Sequence, residues 1–257
     1  MNVNILLVFT FIFIFGLCVG SFINVIISRL PEKGALLAKK RSCCPFCGNP
    51  IKAFDLIPII SFLVLKGKCR SCNADISPLY PAVELLCALF AIFSLWFFGP
   101  ELKALIAFGV TAVLLAITVI DFNTSEIPDS LVISIGIFAV ASIWIFPEVG
   151  IIDRLIGLTA VSIPMLIIAL IVNGAFGGGD IKLMAAGGFL LGWQSVILAF
   201  FLALLTGGSY AIFLMITKRR DKKGFMVFGP ALCLGIAISF FFGNEIISWY
   251  LRTFMLL

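Results

Sequence analysis

Residues 102–121 read LKALIAFGVTAVLLAITVID. From Ala104 to Ile120 nothing is charged, and Asp121 follows directly on Ile-Thr-Val-Ile. The run is long enough for one crossing of a hydrocarbon core about 30 Å thick, and an ionisable group at membrane depth is costly unless it faces a cavity, a partner or a substrate path. Comparable apolar segments lie near 4–28, 81–98, 102–120, 130–146, 151–173, 181–193, 195–217 and 229–250, divided by Pro, Gly and charged breaks. We therefore expect an all-α polytopic membrane protein of about eight transmembrane helices, forming a single membrane domain over 1–257. The sixth segment is the shortest and fits a tilted or partial crossing.

Composition points the same way. Of 257 residues, 62% are hydrophobic and 12% charged, about half the charged share of a soluble domain. No Lys or Arg precedes the first apolar run, which lacks a small-residue cleavage site, so it is expected to be a retained helix rather than a signal peptide. Absence of histidine excludes Ser-His-Asp, Cys-His and two-histidine zinc protease chemistry. No GxxxxGK[ST] or GxGxxG run supports nucleotide binding.

Charge orients the chain. With the N-terminus outside, nine basic residues from Arg29 to Arg70, then Lys182, then Lys218, Arg219, Arg220, Lys222 and Lys223 fall on the cytoplasmic side, against Lys103, Arg154 and Arg252 outside. The net charge of +5 then reflects topology and attraction to anionic lipid. Nucleic-acid binding is not expected, because the basic residues lack interleaved stacking aromatics.

One long hydrophilic excursion, from about Leu30 to Tyr80, carries Cys44-Pro-Phe-Cys47 and Cys69-Arg-Ser-Cys72. Each CxxC turn offers two thiolates to one metal, and two such turns complete a tetrahedral sulfur shell that stabilises a small loop. The gap between the pairs is slightly longer than in ordinary zinc ribbons. A cytoplasmic loop is reducing, which disfavours disulfides. We expect structural zinc on Cys44, Cys47, Cys69 and Cys72, with Cys43 a possible substitute ligand. Cys18, Cys87 and Cys233 lie in apolar segments and read as small hydrophobes.

Most of the thirteen carboxylates lie in loops. Asp121 ends the third segment, and Asp180 follows Gly177-Gly178-Gly179 at the start of the sixth. Two carboxyls sharing a site divide the roles of acid and base, since close like charges do not both ionise readily. Both are expected at the cytoplasmic membrane edge, on either side of a helical hairpin. Gly177 and Gly179 remove side chains where a helix or an extended substrate approaches. Asp129, after Pro128, competes with Asp121 but suits a helix start. Glu84 fits a polar cavity or a pairing with a cytoplasmic-edge cation.

These motifs together resemble the prepilin peptidases, or type IV leader peptidases, which belong with presenilin among the GxGD aspartyl proteases. The resemblance runs through Gly20-Ser-Phe-Ile-Asn-Val-Ile-Ile-Ser-Arg-Leu-Pro31, the CxxC pairs, Tyr80-Pro-Ala-Val-Glu84, Ile120-Asp121 with Ile127-Pro128-Asp129, and Gly177-Gly178-Gly179-Asp180-Ile-Lys182-Leu. Met226-Val227-Phe228-Gly229-Pro230 departs from it, since the family often has proline at position 227. The resemblance implies a cytoplasmic zinc loop over 30–80 and a protease core over 81–257, with Asp121 and Asp180 catalytic. It implies cleavage of the basic leader of type IV prepilins or pseudopilins at the cytoplasmic face of the inner membrane. It also implies N-methylation of the new terminus with S-adenosylmethionine, for which no binding residue is assigned. The competing expectation is a proton- or cation-coupled transporter using the same aspartates.

Overall fold

The computed structural model describes residues 3–31, 42–172, 174–217 and 227–254, with side chains from residue 6 onward. Lys33, Lys39, Lys40, Arg41, Lys218, Arg219, Arg220, Lys222, Lys223 and Met226, part of the basic pattern and the 226–230 motif, lie outside the described residues. The regular elements are all helical: α1 (Val3–Arg29), a 3-10 turn (Ala53–Leu56), α2 (Ile60–Val64), α3 (Leu79–Phe98), α4 (Leu102–Thr124), α5 (Asp129–Ile145), α6 (Ile151–Ala160), α7 (Ser162–Ile171), α8 (Gly178–Leu191), α9 (Trp193–Ile216) and α10 (Gly229–Phe254). The chain divides into two compact units, 1–116 and 117–257, with the division inside α4.

Six of the eight expected segments are helices long and apolar enough to cross a membrane. The other two are shorter: α5 has 17 residues and α8 has 14, about 26 and 21 Å of rise. The crossing over 151–171 is interrupted at Val161. Pro164, three residues later, has no N–H for the Ala160 carbonyl, and the helix restarts at Ser162.

In the first unit α1 packs on α3 through small residues. A Cβ on Gly16 or Gly20 would lie 2.6 Å from the Cα of Ala88 or Glu84, so the two backbones touch along a GxxxG face. One turn on, Asn24 Nδ2 donates to the Tyr80 carbonyl at 2.9 Å, which replaces the water a buried amide would otherwise need. The sequence reading overlooked this seam. Cys87 is buried in α3, as expected, whereas Cys18 is exposed on α1.

In the second unit Arg154 of α6 is fully buried. Its Nη1 donates to Ser142 Oγ (2.7 Å) and to the Leu190 (3.1 Å) and Phe189 (3.3 Å) carbonyls. Its Nη2 donates to the Ser142 (3.2 Å) and Phe146 (3.0 Å) carbonyls, and Nε to that of Val149 (3.2 Å). The acceptors lie at the C-terminal ends of α5 and α8, where carbonyls lack intrahelical donors and the helix dipole is negative. One guanidinium therefore closes two helix ends. Beside it, a Cβ on Gly157 or Gly188 would overlap the other's backbone, so α6 and α8 cross in direct contact. Thus Arg154 is a clasp between helices.

Replacing Arg154 by Met would strand several carbonyls, each worth roughly 1 kcal/mol or more. We expect about 3 kcal/mol of destabilisation, visible as a lowered Tm in detergent. Gly136→Ala, where a Cβ meets nothing within 4 Å, should leave the Tm unchanged or slightly raised.

Candidate active site and metal centre

Asp121 projects from the last turn of α4, only 5% exposed, on the same helix face as the buried Ile117 four residues earlier. Its carboxylate accepts the backbone N–H of Gly229. Gly229 is the first residue of α10, so Asp121 caps a helix N-terminus, where N–H groups are free and the dipole favours an anion. A Cβ on Gly229 would overlap the Asp121 carboxylate. The sequence shows Gly229 within a quoted motif but carries no local sign that it touches position 121.

Asp180 is the third residue of α8 and turns back so that Oδ2 accepts the Gly177 N–H at 3.2 Å. It too satisfies a helix N-terminus. The glycines before it differ in what they allow. A Cβ on Gly179 would sit 2.8 Å from Ile127 Cβ, and one on Gly177 would be 3.2 Å from Asp180 Oδ2, while Gly178 faces open space. Ile127 Cδ1 also lies 3.2 Å from the Cβ position of Gly229, so this side chain separates the two backbone stretches beside the acids. Ile127 is a packing residue that the sequence reading did not single out.

The charge of Asp121 acts on Asp180, and both act on Cys233, which is buried on α10 and hydrogen-bonded to Thr118. The fold thus brings Asp121 and Asp180 to one end of the second unit, with hairpin α5–α7 between them in the chain. Asp129 stands apart: exposed at the start of α5, it is paired with Lys182 Nζ at 2.8 Å. A pair this exposed adds little stability, from zero to about 1 kcal/mol. In the first unit, Glu84 pairs with neither Lys nor Arg in any described contact. Its Oε2 accepts the Ile59 N–H at 2.8 Å, and Ser21 hydrogen-bonds to it.

The cysteine loop, also in the first unit, is built from two matching turns. Cys44 N–H donates to Asn49 O and Gly48 N–H to Cys44 O, at 3.0 and 2.9 Å; Cys69 N–H donates to Ala74 O and Asn73 N–H to Cys69 O, at 2.8 and 2.9 Å. Gly48 and Asn73 hold equivalent left-handed positions, φ +71° and +57°, which those two residue types tolerate best. The Cys47 and Phe46 N–H groups lower the Cys44 thiol to about 6. Arg70 ties the second turn to the 3-10 turn between them, with Nη2 to Asp55 Oδ1 at 2.7 Å and Nε to Oδ2 at 3.0 Å.

The Sγ atoms of Cys44, Cys47, Cys69 and Cys72 all lie within 4.8 Å of one another, with Cys44 to Cys72 at 3.9 Å. Metal–sulfur bonds of about 2.3 Å in a tetrahedron place sulfurs about 3.8 Å apart, so the set fits one metal ion. Cys43 is outside the cluster and pairs across the first turn with Pro50.

Two family models match the chain: the Bacterial Peptidase A24 N-terminal domain over residues 14–98 and the Type IV leader peptidase family over residues 108–212. A prepilin leader peptidase/N-methyltransferase of Bacillus subtilis (strain 168) is 38% identical over 242 residues, covering 94% of this chain and 97% of that protein. One of Aeromonas hydrophila is 34% identical, with 97% and 96% covered. One of Legionella pneumophila is 30% identical, with 94% of each covered. No solved structure matches the chain.

Elemental analysis of the purified chain should find about one divalent metal ion per molecule. Cys47→Ser with Cys72→Ser should remove it and lower the Tm of the first unit's loop contacts, read as faster proteolysis between residues 44 and 72. Full metal content in that variant would place the ion elsewhere.

Proposed function

The chain belongs to the type IV leader peptidase family, and on that premise we propose that Asp121 and Asp180 are the catalytic pair of its peptidase activity. Its function is that of the family, prepilin leader peptidase/N-methyltransferase, and the chain is a multi-pass membrane protein. The observation that carries the residue assignment is that both carboxylates, from helices far apart in sequence, lie within electrostatic reach of each other at free helix N-termini.

In such a pair one carboxylate takes a proton from water as its oxygen attacks the scissile carbonyl, and the other, protonated, gives its proton to the carbonyl oxygen. Collapse of the tetrahedral intermediate breaks the C–N bond, and the amine leaves with a proton returned by the pair. Gly229 and Gly177 hold the acids through backbone N–H groups, with no side chain to obstruct an extended substrate. Gly179 lets its strand of backbone close on Ile127.

The substrates are type IV prepilins or pseudopilins, cut after a short basic leader. The basic pattern supports an inner-membrane orientation with the N-terminus outside and both acids at the cytoplasmic face. The four cysteines would hold a structural zinc: four thiolates leave no open position for substrate, so the ion would brace the loop. S-adenosylmethionine would donate the methyl group to the new terminal amine.

The test is mass spectrometry of a prepilin-like substrate incubated with the protein and S-adenosylmethionine. Asp121→Ala and Asp180→Ala should each lower cleavage by about 10³-fold or more. Gly229→Ala, which displaces Asp121, should cost about 100-fold, and Asp129→Ala should stay within a few-fold of the unmutated protein. Cleavage retained by either of the first two variants would remove that aspartate from the mechanism. An intact substrate with the unmutated protein would favour ion transport.

A further inference from the structure

The segment joining the two CxxC turns is not the hydrophilic linker expected of the 30–80 loop. From Leu56 to Leu65 it reads LIPIISFLVL, between Asp55 and the cations Lys66, Lys68 and Arg70. Ten residues, eight of them aliphatic or aromatic, are too few to span a bilayer and belong in a core or at a membrane interface. They form no core: Leu56, Ile57, Ile60, Leu63 and Val64 are exposed, Leu63 by 67% and Val64 by 69%, matching Phe11 at 70% on the spanning helix α1. Ile60, Leu63 and Val64 follow i, i+3, i+4 spacing and share one face of α2. Phe62 turns away, its ring 3.3 Å from the Cβ position of Gly67.

Separate contacts set the depth of this face. Ile59, next to Ile60, donates its N–H to Glu84 Oε2. Glu84 lies five residues beyond Leu79, the start of α3, or about 7.5 Å along the helix. The 20 residues of α3 rise about 30 Å, the full thickness of a hydrocarbon core, so Glu84 lies inside it. Ile59 has φ +60°, which a β-branched residue rarely adopts, and the bond to Glu84 holds it there. Gly20 of α1, seated on the Glu84 backbone, keeps the two helices level.

We propose that Leu56–Leu65 is an interfacial anchor. Ile60, Leu63 and Val64 enter the acyl boundary of an anionic bilayer, Lys66 and Lys68 meet lipid phosphates, and Glu84 pins the segment through Ile59. Charge complementarity selects anionic lipid. Because the segment is held to a spanning helix at Ile59, its apolar face meets the bilayer before any soluble partner. The metal loop then rests on the membrane surface.

The test places an environment-sensitive fluorescent amino acid at Leu63 of the full chain, reconstituted in phosphatidylcholine–phosphatidylglycerol vesicles, with the same probe at exposed Asn49 as the aqueous reference. Lipids brominated near the top of the acyl chain should quench position 63 at least about two-fold more than aqueous iodide does, with the reverse at position 49. Glu84→Ala should shift position 63 toward iodide. Should that variant fail to accumulate, Lys66→Glu with Lys68→Glu should give the same shift in anionic vesicles and a smaller one in neutral vesicles. Iodide quenching of position 63 equal to that of position 49 would overturn the proposal. So would protection that develops only when a prepilin substrate is added, which would make the face a protein docking site.

Discussion

A polar group inside hydrocarbon must be satisfied by the protein itself, because no water is there to do it. Three buried charge-bearing side chains meet this demand chiefly with backbone groups. Arg154 takes five backbone carbonyls and one hydroxyl, Asp121 takes an N–H at the head of α10, and Glu84 takes the N–H of Ile59. In each case the partner comes from an end or a break in regular structure, where such groups are free. The interruptions of the helices therefore determine where charge is tolerated.

The same rule explains how two acids are kept together without being neutralised by a cation. The Asp121 carboxylate lies at the start of α10 and Asp180 in the first turn of α8, and the dipoles and free N–H groups there offset part of the cost of burying a carboxylate. An ion pair would have quenched the chemistry proposed for them. Lys182, two residues from Asp180, is instead engaged with Asp129 at the rim. Close backbone approach completes the arrangement: Gly229 against Asp121, Gly179 against Ile127, Gly157 against Gly188.

The first unit solves a different problem. A loop with two CxxC turns has almost no core of its own, and its apolar centre is turned outward. The two turns meet at the four-cysteine cluster, the Asp55–Arg70 pair links the centre to the second turn, and Glu84 ties the centre to α3. The two cysteine turns flank this segment on both sides, and the bond to α3 is made within it at Ile59.

Periodic and local features were legible in the sequence. Apolar length placed the membrane segments, CxxC spacing predicted the sulfur cluster, and Asp121 and Asp180 stood out as acids at the edges of apolar runs. Family membership was legible through several ordered motifs. Two of the eight expected crossings are short: the segments read near 130–146 and 181–193 fold as Asp129–Ile145 and Gly178–Leu191, bounded by Pro128 and Phe146 and by Gly177 and Gly192. The partners of the polar groups were not legible: Gly229 with Asp121, Ile127 with Gly179, Ile59 with Glu84, Arg154 with Leu190. Each joins positions 25 to more than 100 residues apart, and such pairings leave no period or spacing in the chain. The sequence by itself determined what must be buried in lipid and which groups could do chemistry. Only the tertiary structure decided which backbone atoms satisfy those groups, because that depends on where helices end against one another.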